Sequence, residues 1–174
     1  VLYNVLFESE DEPLTAERLS GYKTIVVPDA FLMSDADAAV LKEFADQNNI
    51  KLIIYYSPIH ISKKVHIYSK GLWDSNQELK RKLSEITPFY DYSLQNEYNM
   101  SPLDENNMNF IDNIHPSNTY NNLIVFDLLS NDKKIGTYIN KENIEKYLQK
   151  DNENLKTYIE KNPETIKSFI RAIQ

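Results

Sequence analysis

Apolar positions along this chain recur with two different spacings, and the switches between them mark the expected elements. Val1 to Phe7 alternates apolar and other residues and predicts a strand. Thr15 to Leu19 predicts a short helical turn. The run Lys23-Thr24-Ile25-Val26-Val27, stopped by Pro28, predicts a strand buried on both faces. Ser34 and Asp37 form a capping pair for a helix that reaches about Gln47, with Ala36, Val40 and Phe44 on one face. Leu52 to Tyr56 predicts a second buried strand, ended by Ser57-Pro58. A helix follows over Asp74 to Ile86, with Leu79, Leu83 and Ile86 pointing inward, and then a short strand over Phe89 to Tyr92. Ser117 caps a helix carrying Tyr120, Leu123, Ile124 and Leu128. From Asn140 onward two amphipathic helices are divided at Pro163.

Strands alternating with helices imply an α/β fold, with strands paired in parallel and helices on both faces. Sites in such sheets lie beyond the carboxyl ends of the strands. Asp29, Ser57, His60 and the segment Asp112 to His115 have addresses of that kind.

Length and composition narrow the function classes. At 174 residues the chain suits one domain, able to bury roughly 70% of its unfolded surface. A net charge of −7 argues against nucleic acid as a partner, because neutralising phosphates needs clustered Lys and Arg. With no cysteine there is no disulfide, thiol nucleophile or cysteine metal site. No apolar run approaches the length of a membrane span. The chain opens on Val1 without a signal segment, as expected of a fragment. The three glycines, Gly21, Gly71 and Gly136, are too far apart to cradle a phosphate, and no Gly-x-Ser-x-Gly elbow occurs. Three histidines with scattered carboxylates give no zinc spacing, so neither metal nor other cofactor is expected.

Asp112-Asn113-Ile114-His115 carries the most chemistry. An Asp beside a His is the acid–base pair of a catalytic triad: the His takes the nucleophile's proton and the carboxylate holds the imidazole in the right tautomer. A lone D-x-x-H is a weak signal, and a helix-entry Asp beside a surface His would look the same. Its context, Asn109-Phe110-Ile111-Asp112-Asn113-Ile114-His115-Pro116-Ser117-Asn118 before an amphipathic helix, resembles the last sequence block of SGNH/GDSL-type hydrolases. Asn49 to His60 resembles the penultimate strand of a membrane-anchored SGNH-like group, and Trp73 to Tyr92 the stretch that follows it. The resemblance covers about residues 48–135. It implies an esterase or acyl transferase, often acting on cell-surface polysaccharide at the cell envelope, with Asp112 orienting His115 as general base. Ser57 and His60, at a strand's carboxyl end, are the candidates for contacts to an acyl ester or carbohydrate substrate.

The Gly-Asp-Ser nucleophile block and the oxyanion-hole Gly and Asn blocks of those enzymes are not recognisable here. Ser9 has the right place in chain order, but Glu8 and Glu10 flank it and would oppose an oxyanion. The front, about residues 1–46, resembles instead the glutamine-amidotransferase-like domain appended to some glycoside hydrolases, through Tyr22 to Ala30 and Leu32 to Phe44. That resemblance implies a structural or oligomeric role. Composition also shifts near residue 47, from Ala, Asp, Glu, Leu and Val to Asn, Lys, Ile and Tyr. Both families are flavodoxin-like three-layer sandwiches, so the expectation is a single α/β domain over 1–174. It would have a mainly parallel sheet, C-terminal helices and a hybrid or truncated character, with the junction near 47. The competing expectation is a non-catalytic α/β module serving structure or interaction. Glu142, Glu145, Lys146 and Lys150 in the tail read as a solvated helix face.

Overall fold

The structure, a computed structural model, describes residues 15–22, 35–50, 53–102 and 109–171. The expected strands over Val1 to Phe7 and Lys23 to Val27, and the residues Ser9, Asp29 and Ser34, lie outside them. The chain divides into two compact units, Val1–Ile53 and Ile54–Gln174.

In the first unit, helix α1 (Ala16–Leu19) is capped by Thr15, whose hydroxyl accepts from the Arg18 amide at 3.3 Å. Helix α2 spans Asp35–Gln47. Among its described side chains Leu41, Phe44 and Ala45 are buried, Val40 is half-buried and Ala36 exposed.

The second unit holds β1 (Tyr55–Tyr56), α3 (Ile61–Ser69), α4 (Trp73–Ile86), β2 (Phe89–Asp91), α5 (Asn118–Leu129), β3 (Thr137–Ile139), α6 (Ile144–Lys161) and α7 (Pro163–Arg171). The strands form one sheet in the order β1-β2-β3. β1 and β2 pair in parallel, Tyr55 opposite Tyr90, as a crossover through two helices requires. β2 and β3 pair antiparallel, Tyr90 opposite Tyr138. The expected mainly parallel flavodoxin-like sandwich is therefore corrected: the described residues form a helix-rich mixed α/β unit on a small sheet. Two features decide it. The described strands are only two or three residues long, and the chain returns from α5 through β3 in the opposite sense, so the third strand of the described sheet is antiparallel to its neighbour. Neither β3 nor α3 was expected from the pattern.

One apolar core lies between sheet and α6, with Tyr56, Phe89, Ile139, Ile144 and Leu148. A second joins α3, the start of α4 and α6, with Ile61, Val65, Trp73 and Leu155. α6 serves both, because Ile144, Leu148, Asp151 and Leu155 fall on one helical stripe. Its exposed face carries Glu142 at the entry and then Glu145, Lys146 and Lys150.

Asp151 sits where the two cores meet, and a charged cluster assembles around it. Lys64 of α3 bonds Asp151 Oδ1 at 2.6 Å, and Lys80 of α4 lies 3.7 Å from Oδ2. Lys80 also pairs with Asp91 of β2 at 2.7 Å and donates to Ser93 Oγ at 2.7 Å. All four charged side chains are at most 2% exposed. The inward residues of α4 are Trp73, Lys80 and Ser84. Leu79 and Ile86, expected inward, are 41% and 81% exposed, and Leu83 alone of that trio packs on the core. The stripe of α4 is set by its ionic partners, so a reading that places only apolar residues inside rotates the helix wrongly.

A second polar knot closes the loop after α5. Asp127 accepts from the amides of Lys134, Ile135 and Gly136 and from the Tyr92 hydroxyl, at 2.7 to 3.1 Å. Desolvation raises the carboxyl's pKa, but these donors hold it below the usual carboxylate range.

Candidate active site

Asp112 and His115 lie in a short loop pinned at its neck. Phe110 and Pro116 form an isolated antiparallel bridge, and the Ile111 amide donates to the His115 carbonyl at 2.9 Å. The next residue, Ser117, caps α5 by accepting from the Tyr120 amide at 3.2 Å. Within the loop Asp112 makes an Asx-type turn: Oδ1 accepts from the amides of Ile114 and His115, each at 2.8 Å. Its other oxygen, Oδ2, lies 2.6 Å from His115 Nδ1. A carboxylate can only accept, so Nδ1 carries a proton, and in the neutral ring the lone pair is then on Nε2. Among the described residues no hydrogen bond reaches Nε2. Desolvation pulls the Asp112 pKa upward, and the bonds from His115 Nδ1 and the two amides outweigh it, holding the carboxyl below its usual value. The side chains are 49% exposed for Asp112 and 66% for His115.

A carboxylate that accepts from two backbone amides and from His115 Nδ1 is an arrangement able to serve as the acid and base of a triad. Among the described residues no three His, Asp or Glu side chains group to hold a metal ion.

No family model, curated protein or solved structure matches the chain.

Ser57 and His60 stand on the segment between β1 and α3. Ser57 follows β1 directly and is half-buried. His60 is 1% exposed and is the N-cap of α3. Its Nδ1 accepts from the Ser62 amide at 3.1 Å and lies 2.8 Å from Ser62 Oγ. Its Nε2 lies 2.6 Å from the Ser101 carbonyl and must donate to it. Burial pushes the His60 pKa down, with the Ser101 carbonyl opposing the shift. The segment also touches the Asp112–His115 loop, since the His60 amide donates to the Asn113 carbonyl at 3.1 Å. Ser62 thus joins the surroundings of the site without having been singled out in the sequence, and Asn113 and Phe110, quoted there only as flanks of the Asp–His pair, join it as contacts of His60. The available signal was His60-Ile61-Ser62 after Pro58, a helix start whose cap is an imidazole in place of the usual small polar residue.

Proposed function

We propose that Asp112 and His115 are the orienting carboxylate and general base of an SGNH-like esterase or acyl transferase, with acyl esters, including those borne on carbohydrate, as the substrate class. The observation that carries this reading is the 2.6 Å contact between Asp112 Oδ2 and His115 Nδ1, with Nε2 left open. In that arrangement Nε2 takes the proton of a serine hydroxyl as it attacks the ester carbonyl, Asp112 stabilises the resulting imidazolium, and the proton then passes to the leaving alkoxide. A water or acceptor hydroxyl, deprotonated by the same nitrogen, releases the acyl group. The nucleophile is left unassigned, Ser9 lying outside the described residues, and Ser57 is the substrate-side candidate.

A second reading is favoured by the 66% exposure of His115: a non-catalytic interaction module in which the pair only stabilises its loop. Hydrolysis of p-nitrophenyl acetate and labelling by a fluorophosphonate separate the two, because labelling demands an activated nucleophile. The esterase reading expects labelled wild-type protein, a loss of roughly 10²–10⁴ in kcat for His115→Ala, and no labelling of the nucleophile variant, with Ser9→Ala the first to try. Folded wild-type protein that neither labels nor exceeds the background rate would overturn it.

A further inference from the structure

Three parts of the second unit converge on His60. Its imidazole joins the start of α3 to the Ser101 carbonyl. Its ring meets Phe110 edge to face, with centroids 5.5 Å apart, and Phe110 is the first residue of the bridge that closes the Asp112–His115 loop. Its backbone amide holds Asn113, between the two members of the pair. Phe110 in turn packs on Tyr120, whose hydroxyl donates to Asn99 Oδ1, and the Asn99 carbonyl accepts from the Ile61 amide. The loop is therefore held at its neck and at its middle by one buried residue, which is itself fixed on both ring nitrogens.

Resting on the acid–base reading of that loop, we propose that His60 is a positioning residue: it holds the Phe110–Pro116 loop so that Asp112 keeps His115 in the Nδ1–H tautomer with Nε2 free. It does so without touching the reacting atoms. A side chain spent on substrate would leave one of its ring bonds unmade, and at 1% exposure that donor or acceptor would have no water to replace it. The alignment depends on the loop because Asp112 takes two of its three hydrogen bonds from loop amides. A small displacement there moves the carboxylate away from Nδ1, and a free imidazole reverts to the mixture of tautomers in which Nε2–H predominates.

The test is the tautomer of His115, read from imidazole nitrogen-15 shifts of the full chain at a pH where the ring is neutral. Only three histidines occur, so assignment is direct, and His66 is an internal control. Wild type is expected to show His115 with Nδ1 protonated. His60→Asn keeps a side chain suited to an N-cap while removing the Ser101 bond and the Phe110 contact. With the fold retained by circular dichroism, it should move His115 toward the Nε2–H form while His66 stays unchanged. Phe110→Leu, which removes the ring contacts to His60 and Tyr120 but leaves the His60–Ser101 bond, should move it the same way by less, and it carries the test if His60→Asn does not fold. A folded variant, His60→Asn or failing that Phe110→Leu, whose His115 keeps the wild-type tautomer overturns the proposal. Because this readout needs no turnover, a tautomer change beside a wild type with background hydrolysis would sink the esterase reading and leave the positioning role of His60 standing.

Discussion

Gly136 shows how much one residue's missing side chain can matter. A Cβ built there would lie 2.5 Å from Tyr92 Cζ, and Tyr92 is fully buried with its hydroxyl bonded to Asp127 at 2.7 Å. The Gly136 amide is bonded to the same carboxylate, so neither partner can retreat. Gly136→Ala is expected to destabilise the protein by about 1–3 kcal/mol in urea titration, the usual cost of overpacking. A change within a few tenths would show that the ring moves freely. His60 makes a prediction of opposite character, through protonation. Its pKa lies below the ordinary 6.5, so on acidification the unfolded chain takes up the proton first. The contribution is whole above pH 6.5 and is lost as the pH falls from there through the depressed folded value. Stability followed against pH should show this limb in wild type and lack it in His60→Asn.

At the scale of elements, α3, α4, α6 and β2 are joined by charge as well as by apolar contact. A buried ion pair is expensive to form, because two ions lose their hydration, and more expensive to break, because one is then left alone. Asp151→Asn removes the partner of Lys64 and the second carboxylate near Lys80. Its expected cost is about 3–5 kcal/mol, read as a lower urea midpoint. Replacing Lys64 and Asp151 together by Met and Leu should cost much less than either single change, since no orphan charge remains. Additive costs would show that the pair is not coupled. The exposed bridge from Arg81 of α4 to Glu145 of α6, at 2.6 Å, joins two of these helices but is screened by water. Glu145→Ala is expected to change stability by no more than about 1 kcal/mol.

For the whole molecule these pieces make acid sensitivity a composite. Asp91, desolvated but held below its ordinary 3.8 by Lys80, contributes stability above that value, lost as the pH falls through its lower folded pKa. Two limbs are therefore expected in an acid titration of the full chain, the upper from His60 and the lower from buried carboxylates. Most helices were legible in the sequence. The helix boundaries near Gln47, Ile86 and Pro163, and the Ser117 cap, follow from apolar periodicity and from side chains that bond their own backbone. The Asp112–His115 pair was legible for the same reason, since its members are three residues apart and one turn closes their contact. What the sequence by itself could not settle was every feature made by residues far apart in the chain. Nothing local to Lys64, Lys80 or Asp151 marks them for burial; α3, α4 and α6 bring them together, Lys64 and Asp151 from 87 positions apart. His60 read as a pocket residue until the Ser101 carbonyl, 41 positions on, accepted its Nε2–H. The sense of β3 depended on where α5 delivered the chain. Local periodicity and short-range hydrogen bonds are written residue by residue, whereas the partner that makes a charge burial-worthy, or a strand antiparallel, is chosen only when the helices pack.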